Sequence, residues 1–237
     1  MAKLRIPSLA AGCLALLSAA PSSAEPRLSG SIGAATDYLY RGVTQSNGQA
    51  AVQASLQFDA SPHGWTTGVW GSSVDVDRDG ERGYEIDLHA THTWLLDADW
   101  SAALGVIHRE YAGERGIDYD HDELNASLSW QERVIVSVAW SPNTSFYSRG
   151  PVHGETYTWE VSVQQPLNAQ WSLFAGAGRH DMSDLVRQEY TYWSAGVTFA
   201  WAALQLDLVH IGASDAARHL YGDYRGSRWT GALNVRF

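Results

Sequence analysis

Apolar and polar side chains alternate at every second position over most of the chain. In residues 49–59 the even positions, such as Val52 and Leu56, are apolar, whereas the odd positions, such as Gln53 and Gln57, are polar. A period of two is typical of a β-strand with one apolar and one polar face, and no stretch shows a convincing helical period. The sequence therefore predicts an all-β protein.

Twelve segments of this kind are predicted, and most of them are about 9–13 residues long. Strands of ordinary globular proteins average about 5–6 residues, whereas a tilted strand that crosses a bilayer needs about 9–11. The predicted spans are 28–41, 49–59, 65–75, 84–96, 99–111, 121–131, 133–141, 155–165, 170–180, 189–201, 203–211 and 228–237. Their length predicts a closed antiparallel transmembrane β-barrel of about 12 strands.

The connections between these strands alternate between short turns and longer loops. Short turns at Asp97–Ala98 and at Glu132 alternate with longer segments at 76–83 and 112–120. Outer-membrane barrels have short periplasmic turns and longer extracellular loops. Because lipid offers no hydrogen bonds to a free sheet edge, the first strand is expected to pair with the strand that ends at Phe237.

Tryptophan and tyrosine, eleven of each, fall mainly at the two ends of the predicted strands. Amphipathic rings of this kind line both interfaces of a membrane protein. The aromatic residues near short turns are Trp65, Trp94, Trp100, Trp130, Trp171 and Trp201. Those near the long-loop ends are Tyr38, Tyr40, Tyr84, Trp140, Tyr157, Trp159, Trp193 and Trp229. Trp70, in the middle of its strand, is the exception.

Two predicted strands have ambiguous faces. In the third strand Trp65 and Val69 compete with Trp70 and Val74 for the outer face, and in the ninth strand Leu173 competes with Phe174. A β-bulge in either strand would exchange its two faces.

The last strand ends on an aromatic residue with mainly apolar residues at every second position before it. This pattern resembles the terminal signal that the barrel-assembly machinery recognises in bacterial outer-membrane proteins. The predicted assembly signal consists of Trp229, Leu233, Val235 and Phe237. The assembly machinery and outer-membrane lipid are therefore expected partners.

The N-terminal segment has the organisation of a secretory signal peptide. Lys3 and Arg5 precede an apolar run at 9–20, and the small residues Ser22-Ser23-Ala24 form a cleavage site. A lipoprotein reading at Cys13 is the weaker alternative, because most of the apolar run follows that cysteine. The predicted organisation is a signal peptide at 1–24 and a barrel domain at 25–237.

Charge and composition exclude some functions. The formal net charge of −10 argues against nucleic acid as a partner. Cys13 is the only cysteine and would leave with the signal peptide, so the mature chain has no thiol chemistry.

Two segments carry a distinctive motif: Thr36–Ser46, which reads TDYLYRGVTQS, and Gly68–Asp75, which reads GVWGSSVD. Both are similar to motifs of the bacterial putative porin family TorF, which has SDY-x-x-RG-x-(S/T)-Q-S and G-x-W-(G/A)-S-N/S-V-D. This chain has Thr36 where serine is usual and Ser73 where asparagine is common, and the resemblance is strongest over about residues 28–90. It implies an outer-membrane barrel that forms a pore, but it implies no particular solute.

If the apolar faces contact lipid, a set of polar and charged side chains points into the lumen. The lumen candidates are Asp37, Arg41, Gln53, Gln57, Glu85, Asp87, His89, Arg109, Glu123, Glu160, Asp207 and Arg236. Twelve strands enclose less space than the 16–18 strands of wide porins, and lumen acids favour cations. The predicted function is a porin-like channel of the bacterial outer membrane that passes small solutes or ions. The alternative is a structural or adhesive barrel whose lumen is blocked by arginine–carboxylate pairs.

A lipid-modifying hydrolase is the third hypothesis. It would need a histidine base within reach of a hydroxyl group and a third group that orients the base. His92, His108 and His210 lie on predicted outer faces, and His108 with Glu110 is the only suggestive pair. No Gly-x-Ser-x-Gly motif is present. The sequence therefore predicts a protein without enzymatic activity or cofactor.

Two loops are rich in acidic residues. Asp75, Asp77, Asp79 and Glu81 lie in one loop, and Asp118, Asp120 and Asp122 in another. Such oxygen ligands suit Ca²⁺, but the flanking segments are strands and the spacing lacks the last ligand of an EF-hand loop. Both clusters are predicted to be solvated outer loops, and no metal site is predicted.

Overall fold

The strands form a single closed barrel. A computed structural model describes residues 25–60, 63–76, 82–113, 119–147, 151–221 and 227–237, so the predicted signal peptide at 1–24 lies outside the described residues. The elements are β1 Arg27–Ala35, β2 Leu39–Tyr40, β3 Val43–Thr44, β4 Ala51–Ala60, β5 Trp65–Val74, β6 Gly83–Leu95, β7 Trp100–Ala112, β8 His121–Trp130, β9 Val134–Tyr147, β10 Pro151–Pro166, β11 Trp171–Met182, α1 Ser183–Val186, β12 Gln188–Trp201, β13 Leu204–Ala213, α2 Asp215–Tyr221 and β14 Arg228–Arg236.

Twelve of these strands surround the lumen, as the sequence predicted. Neighbours in sequence pair antiparallel from β4 to β14, and β1 pairs with both β4 and β14. Only β2 and β3 stand apart, as a separate two-stranded sheet. No helix in the described ranges is long and apolar enough to cross a membrane.

Two predicted boundaries are wrong. The first strand ends at Ala35 and not at residue 41, because the chain leaves the sheet there and returns at Ala51, the direct cross-strand partner of Ala35. The predicted loop at 142–154 is instead mostly strand. Val152 pairs with Phe146 beyond a bulge near Gly154, which prolongs the β9–β10 hairpin.

The outer surface of the barrel is apolar. Leu28, Val52 and Leu206 are among the many large apolar side chains that are exposed there. The structure resolves both ambiguous strands without a bulge: Trp65, Val69 and Leu173 are exposed, whereas Val74 and Phe174 are buried. Trp70 also points inward, where its ring lies 5.3 Å from that of Tyr38.

Most interface aromatics lie on the outer surface, as predicted. The exposed rings at the short-turn ends are Trp65, Trp94, Trp100, Trp130, Trp171 and Trp201. Those at the long-loop ends are Tyr84, Trp140, Tyr157, Trp159, Trp193 and Trp229. The prediction is wrong for Tyr38 and Tyr40, which lie inside the barrel because the segment that carries them folds into the lumen.

The barrel closes at the C-terminal residue. Phe237 donates a backbone hydrogen bond to Gly30 (3.0 Å) and accepts one from it (2.9 Å). A Cβ atom on Gly30 would lie 2.8 Å from the ring of Phe237, so the missing side chain leaves space for that ring. Phe237 thus completes the β1–β14 seam in both backbone and side chain.

Deleting Phe237 is expected to lower the yield of folded barrel, because the deletion removes two hydrogen bonds from the seam. Phe237→Ala keeps the backbone bonds and removes only the ring, so it should fold better than the deletion. The heat-modifiable gel mobility of refolded protein measures the folded fraction. Equal yields for the deletion and the wild type would contradict this role of the terminus.

Candidate functional site

Residues 36–50, here named the lumen hairpin, leave the wall between β1 and β4 and fold into the barrel. They contain β2 and β3, which pair through Leu39–Thr44 and Tyr40–Val43. Tyr38, Leu39 and Val43 are each only 3% exposed, although no barrel strand contains them. The hairpin therefore occupies the lumen, toward the end of the barrel that carries the longer loops.

The turn of the lumen hairpin depends on its glycine. Arg41 and Gly42 both have positive φ angles, 49° and 80°, as a two-residue type I′ turn requires. A Cβ atom on Gly42 would also lie 2.9 Å from Cβ of Tyr192 and 3.0 Å from Cβ of Ala213. The turn thus packs directly against the wall at β12 and β13.

The base of the lumen hairpin is fixed by Asp37. Its Oδ1 atom accepts hydrogen bonds from Thr44 (2.5 Å) and Ser46 (3.0 Å) within the hairpin. Its Oδ2 atom accepts a hydrogen bond of 2.8 Å from Arg228 on β14. Asp37 was predicted to lie on the lumen face of strand one. It is instead buried within the hairpin segment and joins this segment to the wall.

Asp75 forms a second anchor at the base. It is 2% exposed, so the prediction of a solvated acidic loop is wrong at this position. Its Oδ2 atom accepts a hydrogen bond of 2.9 Å from Asn47, and its backbone N–H donates to the carbonyl of Gln45. The predictions on Asp77, Asp79, Glu81 and Asp118 lie outside the described residues.

The tip of the lumen hairpin is bound by an ion pair. Arg41 Nη2 lies 2.6 Å from Glu123 Oε2 on β8, and Arg109 Nη1 on β7 lies 3.4 Å from the same oxygen. The ring of Tyr40 lies close to both guanidinium groups, 4.6 Å from Arg41 and 4.8 Å from Arg109. One carboxylate and one aromatic ring therefore connect the hairpin to the wall.

Arg109 extends this network to β6. Its Nε atom lies 3.2 Å from Asp87 Oδ2 and 3.8 Å from Glu85 Oε1, and Tyr38 of the hairpin donates a 3.3 Å hydrogen bond to that same oxygen of Glu85. Arg109 Nη1 also lies 3.3 Å from His121 Nε2. The network therefore runs from the hairpin to β6, β7 and β8.

Apolar contacts hold the rest of the lumen hairpin. Leu39 belongs to a buried cluster with Phe174, Val209 and Ile211 on β11 and β13. Val43 belongs to a second cluster near the long-loop end, with Met182, Leu185, Tyr190, Tyr192 and Ala217, which draws on α1 and α2. The hairpin thus contacts both sides of the barrel.

The remaining lumen candidates form smaller polar groups. Asp207 accepts hydrogen bonds from Thr198 (2.6 Å) and Gln205 (2.7 Å), and Glu160 accepts one of 2.6 Å from Tyr192. Gln53 is buried beside Ser72, whereas Gln57, His89 and Arg236 are half-buried. The structure thus brings Arg41, Glu85, Asp87, Arg109 and Glu123 into one network and leaves the others outside it.

Inner-face side chains near the short turns are polar, and some of them are buried, such as Ser101, Ser172 and Gln205. Ser29, Gln57, Ser129 and Gln164 are half-buried, whereas Glu85 and Glu123 are buried. The inner wall is polar both near the short turns and around the lumen hairpin. Sequence reasoning missed the aromatic participants, among them Tyr38, Tyr40, Trp70, Tyr111 and His121. The mid-strand position of Trp70 was the one available signal.

The outer-face histidines have partners that the sequence did not indicate. His108 Nδ1 lies 2.9 Å from Asp122, which also bonds Asn143, so Glu110 is not its partner. His210 Nε2 lies 2.5 Å from the hydroxyl oxygen of Ser227. Within the described residues, no carboxylate or amide contacts Nδ1 of His210, so the group that would orient a catalytic base is not found there.

The fold and the site define a twelve-stranded barrel whose polar lumen holds an inserted hairpin. Residues 18–237 match the family model described as "Bacterial protein of unknown function (Gcw_chp)", and the chain belongs to this family. The TorF assignment made from the motifs goes beyond that description and stays a prediction. No curated protein sequence matches the chain significantly.

Solved porin structures share the fold. A structure titled "KdgM porin" has a TM-score of 0.57 at 8% identity and covers 88% of this chain and 99% of its own. A structure of the NanC porin has a TM-score of 0.55 at 9% identity and covers 89% of this chain and 98% of its own. At these identities the similarity shows the barrel fold alone.

Proposed function

We propose that this protein is a porin-like channel of the bacterial outer membrane that passes small solutes or ions through a narrow, charged lumen. The observation that carries the proposal is the inner wall, which presents polar side chains near the short turns and a charged network around the lumen hairpin. Porin lumens are polar and hydrated, and loops or inserted segments narrow many of them. The fold shared with the KdgM and NanC porins supports the same function.

The charges at the constriction favour cations. Among the described residues of the hairpin network, Glu85, Asp87 and Glu123 face only two guanidinium groups, those of Arg41 and Arg109. A ring of excess carboxylates attracts cations and repels anions. A structure titled as a KdgM porin complex contains disordered oligogalacturonate. For this chain we propose solutes that are smaller than an oligogalacturonate and preferentially cationic.

Single-channel recording in planar bilayers tests the proposal. Wild-type protein is expected to give conductance steps. In a KCl gradient, its reversal potential should have the sign that shows a higher permeability for K⁺ than for Cl⁻. Glu85→Gln and Asp87→Asn are expected to move that potential toward zero, because each removes one lumen charge. Glu189→Gln, which changes an exposed carboxylate that pairs with Arg179 on the outer surface, is the control and should leave it unchanged.

The blocked barrel remains the second candidate, because the lumen hairpin contacts both sides of the barrel wall. It predicts no conductance steps from well-folded wild-type protein. The hydrolase hypothesis rests on the contact between His210 and Ser227. It predicts lipid turnover by refolded protein that Ser227→Ala abolishes.

A further inference from the structure

Three consecutive inner-face residues of β6 share an unusual property. Glu85, Asp87 and His89 each present a buried atom that accepts no hydrogen bond, namely Glu85 Oε2, Asp87 Oδ1 and His89 Nδ1. Because side chains alternate along a strand, these three form one column on the lumen wall. Buried polar atoms in native proteins almost always have a partner, so such a concentration calls for a physical cause.

The two carboxylates are held in place by their other oxygen atoms. Glu85 Oε1 accepts the hydroxyl of Tyr38 at 3.3 Å, and Asp87 Oδ2 accepts Nε of Arg109 at 3.2 Å. Glu85 is 1% exposed, so bulk water does not solvate its second oxygen. Each side chain is therefore fixed through one oxygen and presents the other without a donor.

Electrostatics points to the missing partner. The described part of the network contains three carboxylates and two guanidinium groups, all with side chains at most 13% exposed. A buried charge without compensation is costly, and an added positive charge beside the excess carboxylate removes that cost. The free oxygens of Glu85 and Asp87 mark where that charge would bind.

The geometry also limits the kind of cation. In the described ranges no group of three acidic, histidine or cysteine side chains converges on one point as a metal site. The available ligands are two hard carboxylate oxygens and one imidazole nitrogen, spread along the strand. Such a row suits a small monovalent cation that moves between adjacent weak sites.

We propose that Glu85, Asp87 and His89 form a binding column for a small monovalent cation such as K⁺, beside the lumen hairpin. The column deepens the proposed channel function, on which it rests for the route by which the cation enters and leaves. It assigns the cation preference to a site of direct binding and not only to the average charge of the lumen. Binding itself requires no conduction and can be measured on a closed barrel.

The test compares the thermal unfolding midpoint of refolded full-length barrel in KCl with that in N-methylglucamine chloride at equal ionic strength. The larger cation does not fit a buried column. K⁺ at about ten times its dissociation constant stabilises the folded state by mass action, which in a chain of this size raises the midpoint by roughly 3–6 °C. Glu85→Gln with Asp87→Asn should abolish this difference between the salts.

Asp207→Asn is the matched control. Asp207 is also a buried lumen acid, but both of its oxygens accept hydrogen bonds, from Thr198 and from Gln205. Its substitution should preserve the difference between the two salts. If the double variant fails to fold, the test uses the midpoints of the wild type and of the single variant Asp87→Asn in the two salts.

Equal midpoints of the wild type in the two salts would overturn the cation column. A difference between the midpoints in the two salts that persists in the Glu85→Gln, Asp87→Asn variant would also overturn it. A midpoint that responds to pH but not to K⁺ would show that a shared proton compensates the carboxylates, and would also overturn the proposal. A failure of the channel function would instead appear as absent conductance, with the salt dependence of the midpoint unaffected.

Discussion

Replacing residues 36–50 with a two-residue Asn-Gly turn is expected to raise single-channel conductance several-fold. The lumen hairpin crosses the bore and contacts β5, β6, β8, β11, β12, β13 and β14. Its removal takes the inserted segment out of the lumen, and in the proposed channel a wider cross-section raises conductance. Planar-bilayer recordings of the variant and the wild type at equal salt give the comparison.

The barrel itself is expected to tolerate this replacement. Ala35 and Ala51 are direct cross-strand partners, so a type I′ turn can join β1 to β4 without a change of register. The heat-modifiable gel mobility of the variant shows whether it folds. Glu189→Gln, which changes an exposed residue of the outer surface, is the control and should leave conductance unchanged.

An unchanged conductance in a folded turn variant would show that the hairpin does not limit the bore. If the wild type gives no steps and the turn variant conducts, the hairpin is a complete plug in the recorded state. If neither conducts, the channel function is wrong and the structural barrel is favoured. The three outcomes therefore separate the channel from the blocked barrel.

The barrel could be predicted from the sequence because solvent acts on every strand in the same way. Alternation of apolar and polar residues placed most strand ends within about two residues of their positions in the structure, for example in β5 and β12. A lipid-facing row needs an apolar residue at every second position, and that requirement is visible in a single sequence. The seam at Phe237 followed from the need to close the sheet.

The lumen hairpin could not be predicted in the same way. Tyr38 and Tyr40 would share one strand face and Asp37 and Arg41 the other, so the predicted strand continued past Ala35. The turn residues Arg41 and Gly42 were a signal for a tight hairpin, but Arg41 is an uncommon residue at a positive φ angle. Alternation alone cannot separate a strand in the wall from one folded into the lumen.

The charged network was predicted as a set of residues but not as an arrangement. Lumen orientation of Glu85, Asp87, Arg109 and Glu123 followed from strand parity. The contact of Glu123 with Arg41 depends on a hairpin that reaches across the barrel from a strand far away in sequence. Long-range pairing of this kind is set by the tertiary fold, and no local pattern reports it.

Glu123→Ala is expected to lower the free energy of unfolding by roughly 3–5 kcal/mol, the usual cost of removing one partner from a buried ion pair. Glu123 is 4% exposed, and its Oε2 atom lies 2.6 Å from Arg41 and 3.4 Å from Arg109. The substitution therefore removes the carboxylate that two buried guanidinium groups share. Urea unfolding in lipid vesicles, followed by tryptophan fluorescence, measures the change.

Two further variants show whether the loss comes from this shared carboxylate. Glu189→Ala removes the partner of Arg179 from an exposed ion pair on the outer surface, which contributes about 0–1 kcal/mol. Adding Arg41→Ala to Glu123→Ala should lower the free energy of unfolding little further, and can even raise it again. The reason is that Glu123→Ala leaves two buried guanidinium groups without their carboxylate, and Arg41→Ala removes one of them. Strictly additive losses would mean that Arg41 and Glu123 contribute separately, and the ion pair would then not be what binds the hairpin tip to β8.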